Sequence, residues 1–456
     1  MISSKRIMRI LKCTIFLIAI VGTWSNAWAQ KGWNLEECID FALQNNIQLK
    51  RSQLQEEIAQ QNLTQSTFEL GPNLGVSFTH QYNNGSIFNQ YTGRFERLEN
   101  QGGRLGISSS ITVFNGFYGI NNRARLKYQL LSRKEDTEIL KDNITLNVVV
   151  GFLQILMDSE SLRLATEQLK LANDLVSKAE SQLNLGTISQ GDYLNLQSQM
   201  LNQQAQVINT QNKLTNSTLD LAQLLEVENP SEFVIEVTPL VIPDFPEKME
   251  PKQFFDQIAG LRPEVKKAEF NIKSSQKSVK MAYSQLSPRL TLGYSFGSGY
   301  DQTARSPEDG IEYPDYTYLQ QIKDYNQHFV ELRLNVPIFQ KLSASTQISQ
   351  SKIQLLDAKY AKEETEKGLY KSIVNAHAEA LGAWNNFLAY NESVKSYKEL
   401  YDQTSNRFKL GMINAQELGI AQNNLIKAEG DLLYAKYAYV LRMKILDFYR
   451  GVPIAL

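Results

Sequence analysis

The sequence predicts an α+β membrane protein built from two tandem copies of one plan, whose strands complete a barrel only together with other copies of the chain. Three observations predict it. A shift of 225 positions lays Gly186 over Gly411, Leu185 over Leu410, Ile188 over Ile413, Asp192 over Glu417, Gln197 over Gln422 and Val113-Phe114 over Ile338-Phe339. Four runs alternate apolar and polar residues with period two. Two proline-free stretches, residues 117–185 and 340–409, read as helices, each about 100 Å long at ~1.5 Å per residue.

The chain opens in the manner of an exported protein. Lys5, Arg6, Arg9 and Lys12 precede an apolar run from Cys13 to Gly22, and Ala27-Trp28-Ala29 stands before Gln30. A basic start, a short greasy core and a small-x-small site make a secretory leader, so residues 1–29 are expected to be removed. The greasy core is far shorter than the ~20 residues a spanning helix needs. Lys12 directly before Cys13 argues against lipid attachment there.

The remainder holds one cysteine, Cys38, which cannot form an internal disulfide. The full chain has 47 Lys and Arg against 48 Asp and Glu; the leader carries four of the basic residues and none of the acidic ones. A mildly acidic mature chain speaks against nucleic acid as a partner. With 42% apolar residues the chain is too polar for a compact globule of this length. Long helices with wet surfaces, or a water-filled tube, suit it better. Past the leader no segment offers ~18 consecutive apolar residues. The best stretch, Ile144 to Met157, is broken by Asn147 and Gln154 and reads as a helix packed on other helices.

The copies are expected at 30–227 and 251–450, with a tail at 451–456. The join at 228–250 carries Pro230, Pro239, Pro243 and Pro246 and reads as a non-helical linker. Each copy opens with a short helix, 34–45 and 251–259. Asn34 with Glu37 forms a capping box, and Pro251 suits a first helical position. A second helix follows, 47–69 and 263–285. Then come two strands, about 73–90 and 103–114 in the first copy, 289–302 and 328–338 in the second. Leu74, Val76 and Phe78 interleave with Gly75, Ser77 and Thr79; Val330, Leu332 and Leu334 interleave with Glu331, Arg333 and Asn335. One face is greasy and the other polar, over about ten residues per run, the length of a tilted strand crossing a membrane. The small and polar face suits a wet lumen, with Glu331, Arg333 and Asn335 on it and Glu331 and Arg333 pairing across neighbouring strands. Tyr82, Phe88, Tyr91, Tyr300, Tyr313, Tyr316, Tyr318 and Tyr325 gather near the strand ends, where a membrane barrel carries an aromatic girdle.

Four strands cannot close a barrel, and open edges in hydrocarbon cost several kcal/mol per unsatisfied group. Two copies of the chain supply eight strands, three supply twelve, and twelve leave room for a pore. A homotrimer in outer-membrane lipid is the expectation.

Each long helix ends in a tight turn. Gly186 and Gly411 suit the left-handed helix stop, and Ser189 and Asn414 suit the next N-cap. Asp192 and Glu417 stand three residues on, where a carboxylate reaches back to the cap; Ile188 with Tyr193 and Ile413 with Leu418 make hydrophobic staples. No enzyme is expected. His80, His328 and His377 are scattered, and no zinc, phosphate-loop or nucleophile-elbow pattern occurs. No cofactor or metal is expected.

The order and duplication of these pieces resemble the TolC-type outer-membrane efflux protein family. The resemblance rests on Asn34-Leu35-Glu36-Glu37, Ala42-Leu43-Gln44-Asn45-Asn46, Leu261-Arg262-Pro263-Glu264, Val336-Pro337-Ile338-Phe339, and Arg407-Phe408-Lys409-Leu410-Gly411 with Glu417-Leu418. It covers nearly the whole mature chain. It implies a trimer whose twelve-stranded barrel continues into a long periplasmic helical coiled-coil barrel, with the linker in an equatorial belt. It implies a passive exit duct of a tripartite efflux or type I secretion system. The implied partners are a periplasmic adaptor (membrane fusion) protein and an inner-membrane RND or ABC-type pump. The tip residues Gly186, Ser189, Asp192, Gly411, Asn414 and Glu417 match the family's adaptor-facing end. Where some members latch the mouth with Tyr and Arg, this chain has Phe408 and Ile413. The competing reading is a periplasmic coiled-coil scaffold or adaptor with no pore of its own; the strand runs, placed alike in both copies, count against it.

Overall fold

The computed structural model describes residues 32–89, 93–237, 240, 242–245, 250–301 and 317–451. The leader, Tyr91, Tyr313, Tyr316, Pro239, Pro246 and the tail from 452 lie outside the described residues. In chain order the elements are α1 (Leu35–Asn45), α2 (Ile47–Phe68), β1 (Asn73–Asn89), β2 (Arg94–Phe114), α3 (Tyr118–Asn184), α4 (Gln190–Leu224), α5 (Pro251–Ile258), α6 (Pro263–Ser284), β3 (Arg289–Asp301), α7 (Tyr318–Asp324), β4 (Gln327–Asn335), α8 (Ser343–Lys409) and α9 (Ala415–Tyr449). The paired helices match in length: α3 and α8 have 67 residues each, α4 and α9 have 35 each.

The chain forms two compact units, and each draws on both sequence copies. One takes residues up to 47, 141–251 and 373 onward; the other takes 48–140 and 252–372. Repeats in the sequence are therefore not units in space.

In the first unit, the Asn34 side chain accepts from Glu37 N–H at 2.8 Å and the Glu37 carboxylate accepts from Asn34 N–H at 3.1 Å, closing the expected box on α1. Trp33 bridges Ile235 in parallel, with Trp33 N–H to Val234 carbonyl and Glu236 N–H to Trp33 carbonyl both at 2.9 Å. Gly32 is required beside this bridge, because a Cβ there would lie 2.8 Å from Glu236 nitrogen. The linker is not wholly irregular: besides this bridge it makes one 3-10 turn at Pro230–Glu232. Further on, Ile242 and Phe245 lie on a core of Ala376, Ala380, Tyr439, Met443 and Leu446. The Tyr439 hydroxyl donates to Pro243 carbonyl at 2.8 Å. Burial, with Asp244 beside it, pushes that phenol up to about 12. By length and composition α3 holds a stretch apolar enough to cross a membrane. Ile144, Val148, Val149, Phe152, Leu153, Ile155 and Leu156 on it are nevertheless buried within the protein, as a packing helix requires.

In the second unit the four strands form one antiparallel sheet in the order β1-β2-β3-β4, leaving β1 and β4 as open edges. The sequence expectation for β2 was too short. It starts at Arg94, and its charged first half pairs with the distal half of β1 from Asn89↔Arg94 to Gln81↔Gly102. Backbone pairing carries this ribbon without apolar alternation; Asn84 donates to Glu99 at 2.9 Å and Arg97 to Asn84 at 3.4 Å. β4 ends at Asn335 rather than 338, because its partner β3 begins opposite it at Arg289, directly after Pro288. The helices of this unit meet through polar contacts: Ser52 with Thr137 at 2.8 Å, Ser132 with Asn271 at 2.9 Å, Lys267 with Asp136 at 2.7 Å and Lys362 with Glu269 at 3.0 Å.

Where a strand hands over to a long helix, both copies place two successive residues in the left-handed region. These are Gly116 (φ 66°) with Phe117 (φ 64°), and Lys341 (φ 48°) with Leu342 (φ 64°). The second pair has no glycine to relieve it.

Candidate functional site

Two places carry the functional expectation, one in each unit. The first is the sheet. Its register puts Leu74, Val76, Phe78, Leu105, Ile107, Tyr294, Phe296, Val330, Leu332 and Leu334 on one face. Most of that face is uncovered among the described residues: Leu74 is 76% exposed, Phe78 65%, Val330 69% and Leu332 66%. The opposite face presents Asn73, Gly75, Ser77 and Thr79 from β1, Ser110, Ser108, Gly106 and Arg104 from β2, Arg289, Thr291, Gly293 and Ser295 from β3, and Glu331, Arg333 and Asn335 from β4. One face suits hydrocarbon and the other water.

Glu331, Arg333 and Asn335 do share that polar face, but the ion pair is not across strands. Arg333 reaches Glu331 of its own strand, Nη2 to Oε1 at 2.7 Å and Nε to Oε1 at 2.9 Å. The register explains the correction: Glu331 and Arg333 face Gly293 and Thr291, neither of which carries a charge.

At the far end of the apolar face lies an aromatic belt. His80 Nδ1 and the Tyr300 hydroxyl are 2.8 Å apart, on either side of Gly103 on the intervening strand. A Cβ on Gly103 would lie 2.4 Å from the Tyr300 ring, so only glycine lets the ring cross. Tyr294 bonds His328 at 3.0 Å, and Tyr300 packs on Tyr318 with centroids 4.6 Å apart. Helix α7 is held to β3 here by Ser298, which donates to Ile322 carbonyl, and by Asp301 N–H, which donates to Gln321 at 2.8 Å. The sequence pattern marked the aromatics; the glycine gap and α7 are visible only in three dimensions.

The second place is the pair of hairpin tips. Both turns close identically. Gly186 and Gly411 have φ 71°, and each donates to the carbonyl three residues back at 2.9 Å. Thr187 N–H reaches Gln182 carbonyl at 2.9 Å and Met412 N–H reaches Arg407 carbonyl at 3.0 Å. These paired bonds satisfy carbonyls that a helix end leaves orphaned. Asp192 N–H bonds Ser189 Oγ at 3.1 Å, and Glu417 N–H bonds Asn414 Oδ1 at 2.9 Å.

The carboxylates depart from expectation. Asp192 reaches back to the cap, but it accepts from the Ser189 hydroxyl at 2.7 Å rather than from a backbone N–H. Glu417 does not close a box on Asn414: the Asn414 side chain accepts from Glu417 N–H, but the exposed Glu417 carboxylate does not return to the cap's backbone N–H.

The tips also touch one another. Ala179 and Leu196 of the first hairpin form a buried cluster with Ala415 of the second, flanked by Val176, Ile188, Tyr193 and Phe408. Ile188 and Tyr193 thus share one cluster, as a staple would. Phe408 adds its ring to that cluster. A cavity of about 1090 Å³ lies between the turns, lined by both glycines, both caps and both carboxylates. Gly419, which sequence reading passed over, lets Gln199 approach: a Cβ there would lie 2.2 Å from the Gln199 amide.

The chain resembles known proteins over most of its length. Residues 38–226 and 255–451 match the family described as outer membrane efflux protein. The chain is 21% identical over 436 residues to the outer membrane protein TolC of Vibrio cholerae, covering 94% of this chain and 92% of that one. Solved structures share the fold. CusC superposes with a TM-score of 0.79 at 15% identity, over 94% of this chain and 96% of the other. The Campylobacter jejuni CmeC outer membrane channel does so with a TM-score of 0.79 at 16% identity, over 92% and 85%.

Proposed function

Because the chain belongs to the outer membrane efflux protein family and is an outer-membrane protein extending into the periplasm, we propose that three copies of it form one exit duct of a tripartite efflux or secretion system. The observation that carries this is the sheet: among the described residues, four strands, two open edges and an apolar face left open over most of its length, α7 lying only at its distal end. Water would penalise that face at roughly 25 cal/mol per Å², and hydrocarbon would penalise the edges. A closed barrel shared among copies removes both penalties, and twelve strands leave a wet lumen for the polar face.

Exposed apolar residues on the helices support association. Leu194, Leu201 and Ile208 on α4 recur every seventh residue, as do Ile353 with Tyr360 and Leu381 with Leu388 on α8. A heptad stripe left open on a helix is a seam for a neighbouring helix. A scaffold without a pore would use the seams but would have no use for the sheet.

In this reading the duct does no chemistry and moves solutes passively. The tips, with Gly186, Ser189, Asp192, Gly411, Asn414 and Glu417, receive a periplasmic adaptor, and an inner-membrane pump of the RND or ABC type supplies energy. The mass of the detergent-extracted particle, by light scattering with detergent subtracted, tests the assembly. Three chains per particle is the expected result; a monomer stable without detergent refutes it. Gly411→Pro tests the tip. Proline cannot adopt φ 71°, so the variant is expected to insert in the membrane and fail to export; normal export removes the tip from the mechanism.

A further inference from the structure

On the polar face of the four-stranded part, charge is unevenly spread. Arg104, Arg289 and Arg333 stand there with Glu331 and Asp301. Arg333 is paired with Glu331 at 2.7 Å. Arg104 and Asp301 lie diagonally opposite at the distal end, opposing Gly299 and Gly102 respectively. At the helix-proximal end Arg289 opposes Asn335, its Nη2 is 3.5 Å from Thr112 Oγ1, and among the described residues no carboxylate pairs with it.

Arg289 also lines a cavity of about 460 Å³ at the strand–helix junction, with Asn115, Ser287, Asn335 and Gln340 among its neighbours. Among the described residues it is the one charged residue lining that cavity. A guanidinium among neutral donors, near no competing carboxylate, suits carboxylates and phosphates better than cations.

We propose that Arg289 forms an anion-attracting ring at the inner mouth of the barrel, one arginine per copy, so that the duct favours anionic solutes carrying carboxylate or phosphate groups. The proposal rests on the reading that this face lines a lumen. Three like charges around one lumen walled by protein concentrate counter-ions. Glu331 does not offset them, because Arg333 already occupies it.

The test uses the assembled particle carrying Thr291→Cys, two residues from Arg289 on the same face, with the unchanged chain as blank; Cys38 is buried. Two methanethiosulfonate reagents of similar size are compared, one with a sulfonate and one with a trimethylammonium group. Each rate is divided by its rate on a free small thiol. The sulfonate is expected to react roughly tenfold faster, the low end of electrostatic focusing, and the preference should shrink as salt rises. Adding Arg289→Gln should bring the ratio close to one, while Arg289→Lys keeps most of it. Equal rates with Arg289 present, or a ratio unchanged by Arg289→Gln, overturn the ring while leaving the duct. No reaction with either reagent in a trimeric particle overturns both, since the face would then not be wet.

Discussion

Helices α4 and α9 begin alike. Each has 35 residues, follows a glycine at φ 71° and is capped by a polar side chain bonded to the N–H three residues on. Their surroundings then diverge. Helix α4 buries Leu196, Thr210, Ser217, Leu221 and Ala222 and leaves Leu194, Leu201 and Ile208 in the open. Helix α9 buries twelve residues, from Ala415 and Leu418 to Tyr439, Val440 and Leu446. Duplication preserved what the backbone needs, namely turn, cap and length. It did not preserve which face is inside, because that depends on neighbours the two copies do not share.

The opening helices offer the largest test of this difference. Cys38 on α1 is fully buried, and burial, with Glu37 beside it, pushes its thiol from the ordinary 9.0 up to about 12. With the 216-position shift that lays Leu49 over Val265, Phe254 is its counterpart, and that ring is only half-buried. At pH 8 the folded chain should hold roughly a thousandfold less Cys38 thiolate than the unfolded chain, and react correspondingly slowly with an aromatic disulfide reagent. The raised value means that the stability this thiol supports is complete below pH 9 and falls away as pH climbs toward 12. Rapid labelling of the folded protein would place α1 in the same half-open setting as α5.

Next in size is a pair at the tips. Leu418 is fully buried and its counterpart Tyr193 is half-buried. Leu418→Ala should cost about 2–5 kcal/mol and Tyr193→Ala distinctly less, read from thermal loss of the helical circular dichroism signal. Equal losses would mean the two tips are equally packed.

The strand–helix junctions differ by a smaller amount. Gly116→Ala adds a Cβ 2.6 Å from Ser287 Cβ at φ 66°, which should cost more than the ~1–2 kcal/mol of left-handed strain alone. Lys341→Gly relieves the same strain in the other copy and should gain up to about 1 kcal/mol. A loss in the same melt would show that the Lys341 side chain supports the turn.

The caps give the smallest effects. Ser189→Ala and Asn414→Ala should each cost about 1 kcal/mol. Asp192→Asn should add a few tenths, because its carboxylate holds the Ser189 hydroxyl, whereas Glu417→Gln should change nothing measurable. A Glu417→Gln loss as large as that at Asp192 would mean the second tip closes its box after all.

What could be read along the chain follows from local physics. Helix length shows in an unbroken absence of proline, the turns in Gly186 and Gly411, the caps in Asn34, Ser189 and Asn414, and the strand faces in period-two alternation. Each depends on residues within a few positions of one another. The distal half of β2 escaped notice because its residues carry charges, and only pairing with β1 makes them a strand. The Glu331–Arg333 pair was legible, but not its geometry, because the register that puts glycine and threonine opposite is a long-range fact.

The sequence by itself determined the elements, their duplication and the two chemistries of the strand faces, since periodicity and capping are properties of neighbouring residues. Tertiary structure alone decided the rest. It folded both copies into each compact unit, tied Tyr439 to the linker at Pro243, and passed Tyr300 over Gly103 to His80. Among the described residues it also left Arg289 without a carboxylate while Arg333 acquired one, because the charge a side chain meets depends on register and packing between residues far apart in the chain.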